Sequence, residues 1–84
     1  MAFRPESFKR MARFAQVSPW RETRHELGYP IWVHNSGASI TPYGAYEQAI
    51  RGGWEPDPDQ AYELYQNDQL STFDTLEQAM AAVR

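Results

Sequence analysis

Two stretches of the chain are versions of one another: Ile40 to Ile50 (ITPYGAYEQAI) and Leu70 to Met80 (LSTFDTLEQAM), displaced by 30 positions. Glu47, Gln48 and Ala49 recur as Glu77, Gln78 and Ala79, while Ile40/Leu70, Thr41/Ser71, Tyr43/Phe73 and Ile50/Met80 agree in kind. Each copy follows an apolar run and a polar turn, IWV then HNSGAS in the first, YELY then QNDQ in the second. The economical reading is one strand–turn–strand–helix unit used twice. An isolated hairpin is marginal in water and needs further strands or a helix against its apolar side. The two units are therefore expected to share one antiparallel sheet.

The local signals divide the chain accordingly. Pro5 suits a first helical position, and Phe8, Met11, Ala12 and Ala15 fall on one helical face, so a helix is expected over 5–16. Ser18-Pro19 with Glu22 reads as a second helix start, ending near Gly28 and Pro30. That segment, 19–27, has only Trp20 and Leu27 as strong apolar residues, so an extended arm competes with the helix. Tyr29 to His34 reads as a strand and Asn35-Ser36-Gly37 as a turn, followed by a short returning strand over 38–41. A helix then opens at Thr41-Pro42 or Gly44, turns Ala45, Tyr46, Ala49 and Ile50 inward, and closes at Gly52-Gly53. Asp57-Pro58-Asp59-Gln60 has the order of a helix N-terminus, yet the match to 29–41 favours a strand over 61–66, a turn at Asn67-Asp68 and a strand over 69–73. Asp74 or Thr75 caps the last helix, with Glu77 or Gln78 completing a capping box and Leu76, Ala79, Met80 and Val83 facing the core.

The expected fold is a small single α+β domain over 1–84, αββαββα-like, in which an antiparallel sheet carries its helices on one face. Its parts are a basic N-terminal helical segment (1–28), a first ββα unit (29–53) and a second (54–84). A chain of 84 residues buries only about 60–65% of its unfolded surface, so the core is thin and leans on three Trp, five Tyr and four Phe. No cysteine is present, which excludes disulfides, thiolate nucleophiles and cysteine-based metal sites and suits a reducing, cytoplasmic setting. The longest apolar runs, IWV and AMAAV, are far too short for a membrane span. The Arg-rich opening resembles a transit peptide in composition, but Glu6 and the helical start at Pro5 favour folded structure.

Charge is divided along the chain. Residues 1–26 carry six basic against three acidic groups, a net +3, and residues 27–84 carry two against eight, a net −6. The division suits a basic patch and an acidic face with different partners, or two halves that attract each other within the fold.

Chemical motifs are sparse. His25 and His34 lack the companions of a zinc site. His34 beside Ser36 and Ser39 has the residue types of a base–nucleophile pair, and equally those of an ordinary turn. Asp57, Asp59 and Glu63 lack EF-hand spacing, Glu47 and Glu77 suit first turns of helices, and Gly52-Gly53 follows a helix and so forms no phosphate loop. No catalytic residue, metal or cofactor is assigned.

What remains is binding. Trp54, Glu55, Asp57, Asp59, Glu63, Tyr65 and Asp68 combine aromatic anchors with an acidic rim, the composition that docks on a basic protein surface. Where such a surface ordinarily holds nucleic acid, this chain would compete for it. The alternative is a nucleic-acid-binding accessory protein in which Arg4, Lys9, Arg10 and Arg13 track phosphates, opposed by the acidic remainder. A tiny cysteine-free α+β chain without an active-site motif resembles, in kind, regulators and phage or mobile-element inhibitors, anti-CRISPR proteins among them. The many aromatics also suit a homodimer that covers an apolar patch.

Overall fold

The computed structural model describes residues 18–84; the helix expected over 5–16, with Arg4, Lys9, Arg10 and Arg13, lies outside them. The described chain is a five-stranded sheet with two helices: β1 (Trp20–Arg24), β2 (Pro30–His34), β3 (Ser39–Pro42), α1 (Ala45–Arg51), β4 (Tyr62–Gln66), β5 (Gln69–Phe73) and α2 (Leu76–Ala81). The strands lie in chain order, each antiparallel to the next. This is the α+β architecture of two strand–turn–strand–helix units, sewn together where β3 pairs with β4.

One element differs from expectation. Residues 20–24 form an edge strand, with Trp20 opposite His34 and Arg24 opposite Pro30, where the Ser18-Pro19 signal points to a helix. Ser18 does accept the Trp20 N–H at 3.4 Å, but the chain continues extended. A helix of this length with one large apolar anchor has little tertiary packing to hold it. Pairing with β2 instead supplies partners for that strand's outer backbone groups. Charged Arg21, Glu22 and Arg24 then blunt the exposed edge.

The turns explain the register. The β1–β2 and β2–β3 connections are the same loop built twice, from HELGY (25–29) and HNSGA (34–38). In each, the histidine N–H donates to the carbonyl four residues on (2.8 Å in both). Its own carbonyl accepts from the glycine N–H (2.8 and 2.9 Å). Gly28 and Gly37 sit at φ 104° and 99°, a left-handed region that a side chain strains to reach. In each loop the histidine Nδ1 also accepts the N–H two residues on, from Leu27 and Ser36, at 3.0 Å. The ring does what an Asn or Asp side chain does in an Asx-turn. The β4–β5 turn is tighter: Asn67 and Asp68 at φ 53° and 63° make a two-residue loop, suited to the sheet's twist.

That difference in loop length overturns part of the repeat. Ile40 is fully buried, opposite Trp32 and Leu64, whereas its counterpart Leu70 lies opposite Tyr65 on the other side of the sheet and is 63% exposed. Alternation along a strand means that a one-residue shift exchanges the faces. The core face carries Trp20, Trp32, Ile40, Tyr62, Leu64 and Phe73, and α2 packs on it across β3, β4 and β5. Fully buried Ala79 lets the helix sit close over Ile40 and Leu64, with Leu76, Met80 and Val83 around it, as its periodicity predicts. Thr75 caps α2, its Oγ1 accepting the Gln78 N–H at 3.1 Å, while Gln78 Oε1 accepts the Asp74 N–H at 3.2 Å. Gln66 ties the far end to β4, donating to the Ala82 carbonyl and accepting from the Arg84 N–H.

The first helix does not repeat this packing. Ala45 is buried, but Tyr46 and Ile50, expected to face inward, are both more than half exposed. Gly44 at φ 74° turns the chain aside at the end of β3, and α1 stands at that end of the sheet. Asp57–Gln60, with its helix-start order, is a single turn: Asp57 accepts from the Gln60 N–H with its carbonyl and from the Asp59 N–H with Oδ1. Residues 62–66 are then strand.

Candidate binding site

The end of the sheet where α1 begins holds a cleft of about 300 Å³. Its walls are Tyr29, Tyr43 and Tyr46, and Thr41, Glu47 and Glu63 add polar groups; none of its lining residues is basic. Each wall has a local cause. Tyr29 is delivered by the first histidine–glycine loop, and His25 stacks on its ring at 4.6 Å and 9° while meeting Tyr46 edge-on at 6.2 Å. Tyr43 is held by its N–H to the Ala61 carbonyl at 2.9 Å, and Gln60 Nε2 bridges the Tyr43 and Ala61 carbonyls at 3.2 and 2.9 Å. Glu63 lies opposite Thr41 across β3–β4, and Glu47 projects from the first turn of α1.

Burial of Tyr29, 5% exposed, pushes its phenol above the ordinary tyrosine range, and the neighbouring Tyr46 adds to the shift. The cleft is thus lined by three tyrosines together with carboxylates from two separate elements.

The residues singled out for docking are distributed around this end and beyond it. Glu63 lines the cleft. Asp57 and Asp59 belong to the exposed turn that Gln60 anchors beside Tyr43. Glu55 is exposed in the connector, whereas Trp54 is half-buried, its indole Nε1 enclosed without a hydrogen-bond partner. Tyr65 and Asp68 sit at the far end of β4, joined by a Tyr65 hydroxyl to Asp68 Oδ1 bond at 3.0 Å. Thus Glu63, Asp57 and Asp59 share one end of the sheet, and Tyr65 and Asp68 the other. Tyr29, Tyr46 and Glu47 are cleft residues that the sequence pattern assigns to a strand, an inward helix face and a helix start. Their only joint signal is the H-x-x-G spacing that places Tyr29, and its meaning emerges from the loop geometry.

His34 and Ser36 do come together, with Nδ1 2.9 Å from Oγ. The same Nδ1 accepts the Ser36 N–H, and Ser36 Oγ receives the Ala38 N–H at 3.4 Å, so both side chains are committed to the turn. The imidazole meets Trp20 edge-on at 4.9 Å. Neither histidine lines the cleft. Among the described residues no three His, Cys, Asp or Glu side chains converge as a metal ion would require. No helix among them is long and apolar enough to cross a membrane. Comparison with protein-family models, with curated proteins and with solved structures finds no match for this chain.

Proposed function

We propose that this protein is a non-enzymatic binding protein that docks an acidic, aromatic-bearing face on a basic surface of a partner protein. The observation that carries this reading is the convergence of Tyr29, Tyr43 and Tyr46 with Glu47 and Glu63 in one cleft, with the Asp57–Gln60 turn tied beside it. The charge of the described chain supports it, since residues 18–84 hold four arginines against ten acids. Complementary charge speeds encounter and rejects wrong partners, and partly buried aromatic rings hold the complex. A basic surface of this sort commonly serves nucleic acid, so the docked protein acts as a cytoplasmic inhibitor by occupation, the mode of phage or mobile-element inhibitors such as anti-CRISPR proteins.

Affinity capture with the full chain tests this. Asp57 is retained because it caps its turn, and the charge is reversed at Glu55→Lys with Asp59→Lys, both exposed. Capture should fall at least tenfold in that variant, and also at about 0.5 M salt, where screening shortens to a few Å. Capture indifferent to both changes refutes the proposal.

A further inference from the structure

We infer that the cleft at the α1 end of the sheet receives the guanidinium group of an arginine presented by the partner protein. This rests on the docking reading above and assigns it a central contact. Three features of the site agree on a cation. Carboxylates from different elements, Glu47 on α1 and Glu63 on β4, both line the cleft, and none of its lining residues is basic. Tyr29, Tyr43 and Tyr46 line the same volume, and the two exposed rings, Tyr43 and Tyr46, are of the type that attracts cations through the ring quadrupole. The space, about 300 Å³, stands at the lower limit of ligand pockets, large enough for one side-chain head.

The alternatives fit less well. A metal ion lacks ligands, since two carboxylates converge without a third His, Cys, Asp or Glu among the described residues. An anion at the start of α1 meets Glu47 in the first turn, and that helix has only seven residues. Between the two basic side chains, arginine is favoured: its planar group stacks on aromatic rings and forks between two carboxylates, where a lysine ammonium is a compact, strongly hydrated point. The walls are also held in place before any ligand arrives. His25 stacks on Tyr29, and the Tyr43 backbone is held by the Ala61 carbonyl and the Gln60 side-chain amide. The backbone that carries Tyr43 and the ring of Tyr29 are then ordered ahead of binding, which lowers its entropic cost.

The probe is N-acetyl-arginine amide, titrated into the full chain while the tyrosine ring resonances are followed by NMR. N-acetyl-citrulline amide, its neutral isostere, is the control. Saturable shifts at Tyr29, Tyr43 and Tyr46 are expected in the millimolar range with arginine, and at least tenfold weaker with citrulline. Glu47→Gln and Glu63→Gln, which keep shape and remove charge, should each weaken arginine binding several-fold. Equal response to citrulline, no saturation, or indifference to both Gln variants overturns the site. A full-length variant with Arg4, Arg10 and Arg13 changed to Ala distinguishes the source of the guanidinium. If that variant alone binds arginine amide tightly, the chain's own N-terminal segment fills the cleft and the partner assignment is overturned. Partner capture that survives Glu47→Gln with Glu63→Gln, yet is lost in Glu55→Lys with Asp59→Lys, overturns the cleft's role and keeps the docking reading. Capture insensitive to both pairs refutes docking, whatever arginine amide does at the cleft.

Discussion

The histidine loops allow a decisive substitution series at His25. Two interactions meet in this one side chain: Nδ1 accepts the Leu27 N–H at 3.0 Å, and the ring stacks on Tyr29 at 4.6 Å. A hydrogen bond of this kind contributes about 0.5–1.5 kcal/mol. An aromatic pair adds about 0.5–1.5 kcal/mol beyond its area. His25→Ala removes both, and the expected cost is about 2 kcal/mol. His25→Asn keeps an acceptor for the Leu27 N–H, in the manner of an Asx-turn, and loses the ring; His25→Phe keeps the ring and loses the acceptor. Each should cost about half as much as the alanine change. Urea unfolding followed by tryptophan fluorescence gives the differences at constant slope, and a cost of 1 kcal/mol lowers the Tm of a domain this size by about 4–8 °C. Equal losses for Ala and Asn would show that Nδ1 contributes nothing to the loop. An alanine loss below about 0.3 kcal/mol would refute both parts of the argument, since surface positions without a structural role fall in that range.

Two further outcomes follow from the register and from the cleft. Leu70→Thr should change stability by less than about 0.5 kcal/mol, whereas Ile40→Thr, at the position it matches in the repeat, should cost more than about 2 kcal/mol by opening the core and burying a hydroxyl; similar costs for the two would contradict the opposite-face assignment. Tyr29 should ionise above the ordinary value of 10.0 when the phenolate absorbance is followed, and Tyr29→Phe should remove that late phase. Because its pKa is raised in the folded protein, its share of stability is complete below the ordinary value of 10.0 and is lost as pH rises through the folded value, so an unfolding free energy that holds steady above pH 10.0 in the native chain runs against this assignment.

Much of the architecture was legible along the chain because short-range chemistry dictates it. Gly37, and Asn67 with Asp68, mark turns that need left-handed backbone. Thr75 and Gln78 cap α2 from positions three apart, and the 3.6-residue spacing of Leu76, Ala79, Met80 and Val83 selects its buried face. The same local signals misled where a distant strand outweighed them. Ser18-Pro19 is a sound helix start, yet residues 20–24 gain more from pairing with β2 than from a polar turn of helix. Asp57-Pro58-Asp59-Gln60 closes one turn and goes no further, because β4 is drawn into register with β3.

The repeated EQA stretch marks both limits. By itself the sequence determined that a strand–turn–strand–helix unit occurs twice and that Glu47 and Glu77 open helices, since capping, turn chemistry and periodicity act over a few residues. Only the tertiary structure decided that Leu70 leaves the core while Ile40 fills it, that α2 lies on the sheet while α1 stands at its end, and that Glu47 shares a cleft with Glu63, Tyr29 and Tyr46. The first of those outcomes depends on loop lengths of three residues in one hairpin and two in the other, and the placement of α1 on the turn at Gly44. Loop length sets strand register, and register sets which side chains meet.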